Sequence, residues 1–168
     1  MGQGLLGLIV TQLLIQNHIH VIATDISPRR WNLARDFGAC VYSPKDVDLV
    51  DTIGGLNLDI RAVIECSGAD EAVDSACRLL SRGGTMVIMG ATRTQITFSY
   101  TQIRIKGATI RFPMNRIGHK DNWPAAADIL IKGGAVVKNL VDHRGRLEDI
   151  QTILENYEDE WIRVILEA

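Results

Sequence analysis

Apolar positions near the start of the chain fall at Leu5, Leu6, Ile9, Val10, Leu13 and Leu14, the i, i+3, i+4 spacing of one helix face. The period then changes. "HVIATD" is a short β-branched run that predicts a strand ending at Asp25. Ser27 and Pro28 supply a cap and a first-turn proline, so a helix is predicted over "PRRWNLARDF", stopped by Gly38. "ACVYS" reads as a further short strand, and "KDVDLVDTI" as a helix closed by Gly54 and Gly55.

The second half repeats the alternation. "IRAVIECSG" predicts a strand, Asp70 a cap for the helix "EAVDSACRLLS", Gly83 and Gly84 its stop, and "TMVIMG" the next strand. "IRIKGATIRF" reads as extended, and Asp121 is placed to cap a helix through "WPAAADILIK" up to Gly133 and Gly134. "LEDIQTILENY" has the spacing of an amphipathic helix and "WIRVILEA" that of a closing strand. Strand–helix alternation at this rhythm predicts an α/β fold: a mostly parallel sheet wrapped by helices.

Composition narrows the class. At 168 residues, 46% hydrophobic and 23% charged, the chain has the make-up of one ordinary globular domain. A formal net charge of −2 gives no global case for nucleic acid or an acidic membrane surface. The apolar run Leu5–Ile15 is broken by Thr11 and Gln12 and is too short to span a bilayer, and no basic leader precedes it. Cys40, Cys66 and Cys77 lack C-x-x-C spacing, so three reduced, buried thiols in a cytoplasmic protein are expected.

The chemistry lies at the start. Gly2, Gly4 and Gly7 read as G-x-G-x-x-G, opening the helix at Leu5 and Leu6. In such a turn the first glycine permits the bend, the second lets a pyrophosphate approach the backbone, and the third lets helix and sheet pack closely. The helix start turns free N–H groups and a partial positive charge toward the phosphates. Asp25 follows Gly7 by 18 residues and closes the next strand, where an acid meets ribose hydroxyls. Its carboxylate repels a 2′-phosphate by an amount on the order of a few kcal/mol when partly desolvated. NAD is therefore expected over NADP, with Arg29 and Arg30 close enough to soften the preference.

These segments, with "VIECSGADEAVDSACRLLSRGGTMVIMGA" and "WPAAADILIKGGAVVKNLVDHRGRLEDI", resemble the coenzyme half of a medium-chain, zinc-type alcohol or polyol dehydrogenase. The resemblance covers nearly the whole chain and implies a doubly wound Rossmann-type domain over residues 1–142. Residues 143–168 would then be a C-terminal segment that packs on a GroES-like catalytic domain. It implies that Gly2, Gly4 and Gly7 meet the pyrophosphate, Asp25 the ribose, and Arg30 the adenine end. Ser67 and Gly68 would lie beside the adenosine, and Gly90 and Ala91 under the nicotinamide. "GATIRF" would be the last sheet strand, through which many members pair into dimers. Phe112–Pro113 stand where relatives commonly have a glycine near the nicotinamide end, and Gly145 where an apolar side chain is frequent.

Only Met1 precedes Gly2, whereas the turn normally follows a buried central strand. The resemblance implies that this strand and the catalytic domain, with its zinc ligands, lie outside these residues. Otherwise the sheet must close the gap or borrow a strand. His18, His20, His119 and His143 are scattered and replace no ligand set, so neither a catalytic residue nor a metal ligand is expected here. The expected function is the coenzyme-binding part of an NAD-dependent dehydrogenase acting on an alcohol or polyol. A non-catalytic NAD-binding module and a methyltransferase-like domain are the alternatives.

Overall fold

A computed structural model of the chain describes residues 1–91, 95–113, 122–158 and 161–167. The first part runs α1 (Leu5–Gln16), β1 (Ile22–Thr24), α2 (Pro28–Asp36), β2 (Cys40–Tyr42) and α3 (Leu49–Gly54). The second runs β3 (Ala62–Glu65), α4 (Asp70–Leu79), β4 (Thr85–Ile88), α5 (Tyr100–Lys106) and β5 (Thr109–Arg111). After α6 (Asn122–Ile131) come β6 (His143–Arg146), α7 (Ile150–Glu155) and β7 (Val164–Glu167). Every described strand pair is parallel: β1 with β2, β3 with β4, β4 with β5, and β6 with β7. Parallel strands joined through helices make this a Rossmann-type α/β fold.

Local chemistry sets most boundaries. The Ser27 hydroxyl accepts from the Arg30 amide at 3.4 Å with Pro28 in the first turn of α2. Asp48 caps α3 by accepting from Asp51 N at 2.9 Å, so this helix begins later than "KDVD" implied. Asp70 is the first helical residue of α4, and Ala69 occupies the cap position expected for it. Asp70 and Glu71 still set negative charge at the positive helix end. Asp121 and His119 lie outside the described residues.

One segment departs in type. "IRIKG", expected to be extended, is the last part of α5. Gly107 adopts φ +58°, and the amides of Gly107 and Ala108 return to Arg104 O and Ile103 O at 3.2 and 3.1 Å. That paired bonding is a Schellman stop, so Gly107 separates helix from strand and β5 begins only at Thr109. "HRGR", for which no strand was anticipated, forms β6, and an added Cβ at Gly145 would lie 2.5 Å from Ile153 Cδ1 of α7.

The core divides in two. Leu8 of α1 and Ala34 of α2 pack with Ala23, Ala39 and Leu140 against the β1–β2 pair. Val73, Ala76, Cys77 and Leu80 of α4 and its end pack with Val63, Met86 and Ile88 on the β3–β5 sheet. Between these halves β1 and β3 do not pair. Met1 and Gly2 stand in the interval instead. The Met1 amino group donates to Ile64 O at 2.7 Å, Cys66 N donates to Met1 O at 2.8 Å, and Gly2 N donates to Thr24 O at 2.8 Å. The gap is thus bridged at the strands' C-terminal ends and open at the other, where Ala62 is exposed while Val63 and Glu65 are buried. The sheet has not closed over it.

Candidate functional site

The three glycines of the opening turn differ in what they do. Gly2 holds φ +77°, and a Cβ there would sit 2.8 Å from Ser67 N. A Cβ on Gly7 would lie 1.9 Å from Gly2 O, so α1 can approach the turn only without one. Gly4 is the exception. Its φ of −68° and ψ of −166° suit any residue, and an added Cβ would meet nothing within 4 Å. The fold has no steric need for glycine there. What it leaves is open space over the first turn of α1, where the amides of Leu5 and Leu6 precede the first helical bond, Leu8 N to Gly4 O at 2.9 Å.

Asp25 sits beside that space at the end of β1, 8% exposed. Its carboxylate accepts from Gln3 N at 2.5 Å through one oxygen and from Ser27 N at 2.8 Å through the other. Two amides leave acceptor capacity on both oxygens, because a carboxylate offers about four lone-pair sites. Gln3, which sequence reasoning passed over, is buried, and its Oε1 accepts from Thr11 Oγ1 at 2.9 Å. The turn is therefore pinned to strand and helix at once.

The neighbouring arginines face the C-terminal segment. Arg29 pairs with the buried Asp142, which also accepts from the amides of Ile162 and Arg163. Arg30 donates from Nη2 to Trp161 O at 2.9 Å. Trp161 in turn stacks on His143, with centroids 5.1 Å apart and planes within 4°. Arg29 and Arg30 thus tie Asp142 and Trp161 to α2.

Across the gap, the loops after β3 and β4 meet. Cβ atoms added to Gly68 and Gly90 would lie 2.5 Å from Ala91 O and 2.2 Å from Gly68 N. Ser67, Gly68, Gly90 and Ala91 thereby form one close-packed floor, which reaches the first turn through Gly2 and Ser67. Beneath it Glu65 is fully buried and accepts from Ser67 N, Ser67 Oγ and Gly68 N. Its only sequence signal is an acid ending an apolar strand in "AVIEC". The glycine loops, Asp25 and Glu65 thus gather at the C-terminal ends of β1, β3 and β4, the crevice side on which parallel α/β sheets take their ligands.

The remaining polar candidates lie apart. Cys77 is buried and Cys66 half-buried, but Cys40 is exposed on β2, contrary to the expectation of three buried thiols; β2 has a described partner on one side only. Burial pushes the Cys66 thiol above its ordinary range despite the nearby Met1 ammonium. His18 and His20 are exposed at the end of α1. Among the described residues no group of three or more His, Cys, Asp or Glu side chains could hold a metal ion. None of the described helices is long and apolar enough to cross a membrane. A shallow apolar groove on α7 and β7, lined by Ile153, Leu154, Tyr157, Ile162, Val164 and Leu166, is separate from the crevice.

Comparison with known proteins bears on this geometry. Residues 6–132 match the family described as zinc-binding dehydrogenase. Sorbitol dehydrogenase 1 of Saccharomyces cerevisiae is 30% identical over 144 residues, which cover 77% of this chain and 38% of the yeast protein. A Sinorhizobium meliloti 1021 structure described as a zinc-binding dehydrogenase bound to NADP superposes with a TM-score of 0.85. It is 25% identical, with 99% of this chain and 51% of that one covered. A structure described as a short chain alcohol dehydrogenase from Escherichia coli CFT073, complexed with NADH, superposes at 0.86 with 20% identity, covering 99% and 50%. The chain spans less than two-fifths of the length of the curated relatives it matches.

Proposed function

This chain belongs to the zinc-binding dehydrogenase family, and on that basis we propose that it is the coenzyme-binding portion of an NAD-dependent enzyme acting on an alcohol or polyol. The observation that carries the reading is the space above Gly4, a glycine the fold does not need, open over the start of α1 and beside the Asp25 carboxylate. A pyrophosphate laid there meets first-turn amides and the positive end of α1. A ribose hydroxyl beside it has Asp25 as its acceptor.

Gly2, Gly4, Leu5, Leu6 and Gly7 would hold the pyrophosphate, with Ser67 and Gly68 beside the adenosine and Gly90 and Ala91 under the nicotinamide. NAD is favoured over NADP on two grounds. Asp25 places negative charge where a 2′-phosphate would go, and the nearest guanidinium groups, those of Arg29 and Arg30, are engaged by Asp142 and Trp161. Bound there, the nicotinamide ring supplies the hydride acceptor and donor. This chain's own share is to bind the cofactor, keep its adenosine end fixed through Asp25, and present the ring above the Gly90–Ala91 loop.

The described side chains of this chain offer no ligand set for zinc. Relatives more than twice as long have room elsewhere for the metal and for the substrate pocket. The outer edge of β5 is the place for a second copy to add. NADH titration of the purified chain, followed by nicotinamide fluorescence, tests the reading. Saturable binding that NAD competes better than NADP supports it; no binding of either cofactor overturns it.

A further inference from the structure

Glu65 is a carboxylate with no exposed surface at the C-terminal end of β3. A buried charge is costly unless donors surround it, and here they come from one short loop. Oε1 accepts from Ser67 N at 2.5 Å, from Ser67 Oγ, and from Gly68 N at 3.0 Å; Oε2 lies 3.2 Å from the same Gly68 amide. The backbone carbonyl of Glu65 accepts from Met89 N at 2.7 Å and Gly90 N at 3.0 Å. A Cβ on Gly90 would stand 2.5 Å from Oε2. One residue therefore holds the loop after β3 with its side chain and the loop after β4 with its backbone, and its carboxylate fills the angle between them.

Given the dinucleotide reading of this crevice, on which the assignment rests, we propose that Glu65 is a positioning residue that clamps the 67–68 and 90–91 loops into one floor and so sets where the nicotinamide end of the cofactor lies. It touches no reacting atom. Its effect passes through Ser67 and Gly68, whose place fixes Gly90 and Ala91 by glycine-to-backbone contact. The adenosine end has a further anchor in Asp25, which accepts from Gln3 N and Ser27 N.

The test compares Glu65→Gln with the parent over the full chain. The amide keeps the volume and one acceptor oxygen but loses the charge and turns a donor toward the loops. Hydrogen exchange at the Ser67, Gly68 and Gly90 amides is expected to quicken together by about tenfold, the loss of one charge-assisted bond. Gln3 and Ser27, held by Asp25, keep their protection. Unchanged exchange in both loops, or loosening confined to one, overturns the clamp.

Binding reads the consequence. NADH affinity is expected to fall about tenfold or more, with loss of the emission shift of bound nicotinamide, while ADP, which meets only the Ser67–Gly68 half of the floor, loses less affinity than NADH. Equal losses for NADH and ADP, or none for either, overturn the positioning role. If the parent binds neither NADH nor NADPH, the dinucleotide reading and the positioning role fall together, and the exchange result alone decides the clamp. Ser67→Ala, which removes one donor and leaves the buried charge in place, is the second variant should Glu65→Gln unfold. It is expected to loosen both loops in the same sense to a smaller degree; undisturbed exchange in this variant overturns the clamp.

Discussion

The carboxylate of Asp25 accepts the amide of Gln3 at 2.5 Å, across 22 residues of chain, and joins the tip of β1 to the glycine turn. One side chain thus shapes the turn and stands ready for a ribose. Asp25→Asn keeps a single acceptor oxygen for two amides and removes the charge. NADH affinity is expected to fall about 10- to 100-fold, as for loss of a charge-assisted hydrogen bond worth roughly 1.5–3 kcal/mol. NADPH should lose less, so the preference narrows. Parallel fluorescence titrations with both cofactors check this; an unchanged ratio would remove Asp25 from the ribose site.

The glycines separate fold from ligand. Gly4→Ala meets no atom within 4 Å and is expected to melt within about 0.5 kcal/mol of the parent. Its methyl group occupies the space assigned to the pyrophosphate, so NADH binding should be lost. Gly68→Ala and Gly90→Ala behave in the opposite way, because their Cβ atoms meet backbone at 2.5 and 2.2 Å. Each is expected to destabilise by about 1–3 kcal/mol or more. Denaturant melts and NADH titration of all three variants give the comparison. A Gly4→Ala chain that still binds NADH tightly contradicts the placement.

The contrast between these glycines also shows what the sequence could reveal. The spacing of Gly2, Gly4 and Gly7 and the acid at Asp25 were legible because turn geometry and charge at a strand end follow from residue type. The helix of α5 was not. Ile103 and Ile105 alternate as in a strand, and only the left-handed Gly107 shows that the chain turns there instead of running on. Glu65 was hidden for a different reason: its role depends on Gly90 packing across from the next strand, a contact no local pattern records. The work of Arg29 and Arg30 was likewise set by Asp142 and Trp161, more than a hundred residues away.

Those two arginines lead to a prediction about the C-terminal segment. The Asp142 side chain is 2% exposed and gathers Arg29 with the amides of Ile162 and Arg163. Asp142→Ala leaves these donors without their acceptor, each costing about 1–3 kcal/mol where it stays buried. The segment carrying Trp161 and β7 is expected to loosen before the rest of the fold. Limited proteolysis should cut it first in the variant and not in the parent. Simultaneous cutting throughout the chain would mean that Asp142 supports the whole fold and not one segment.

The last prediction concerns the bridge at Met1. Its amino group donates to Ile64 O, and burial pushes the ammonium below its ordinary 8.0, although Cys66, Glu65 and Asp25 nearby pull the other way. Between that lowered value and 8.0 the unfolded chain binds more protons than the folded one. The Met1 contribution to stability therefore rises with pH across this interval and levels off above it, before the raised Cys66 thiol acts in the opposite sense at higher pH. Met1 and Gly2 also fix a direction: anything placed ahead of Met1 is led into the open interval between β1 and β3. A short β-branched extension there turns the ammonium into an amide and offers its backbone to both strand edges. Each added bond contributes about 0.5–1.5 kcal/mol net. The extended chain is expected to be more stable by a few kcal/mol on that scale and to lose the pH dependence near neutrality. Thermal melts of both chains from about pH 6 to 9, the range that brackets an α-amino group, decide it. A parent chain whose stability is flat in pH places the ammonium in water, and an extension without gain means that the interval does not accept a strand.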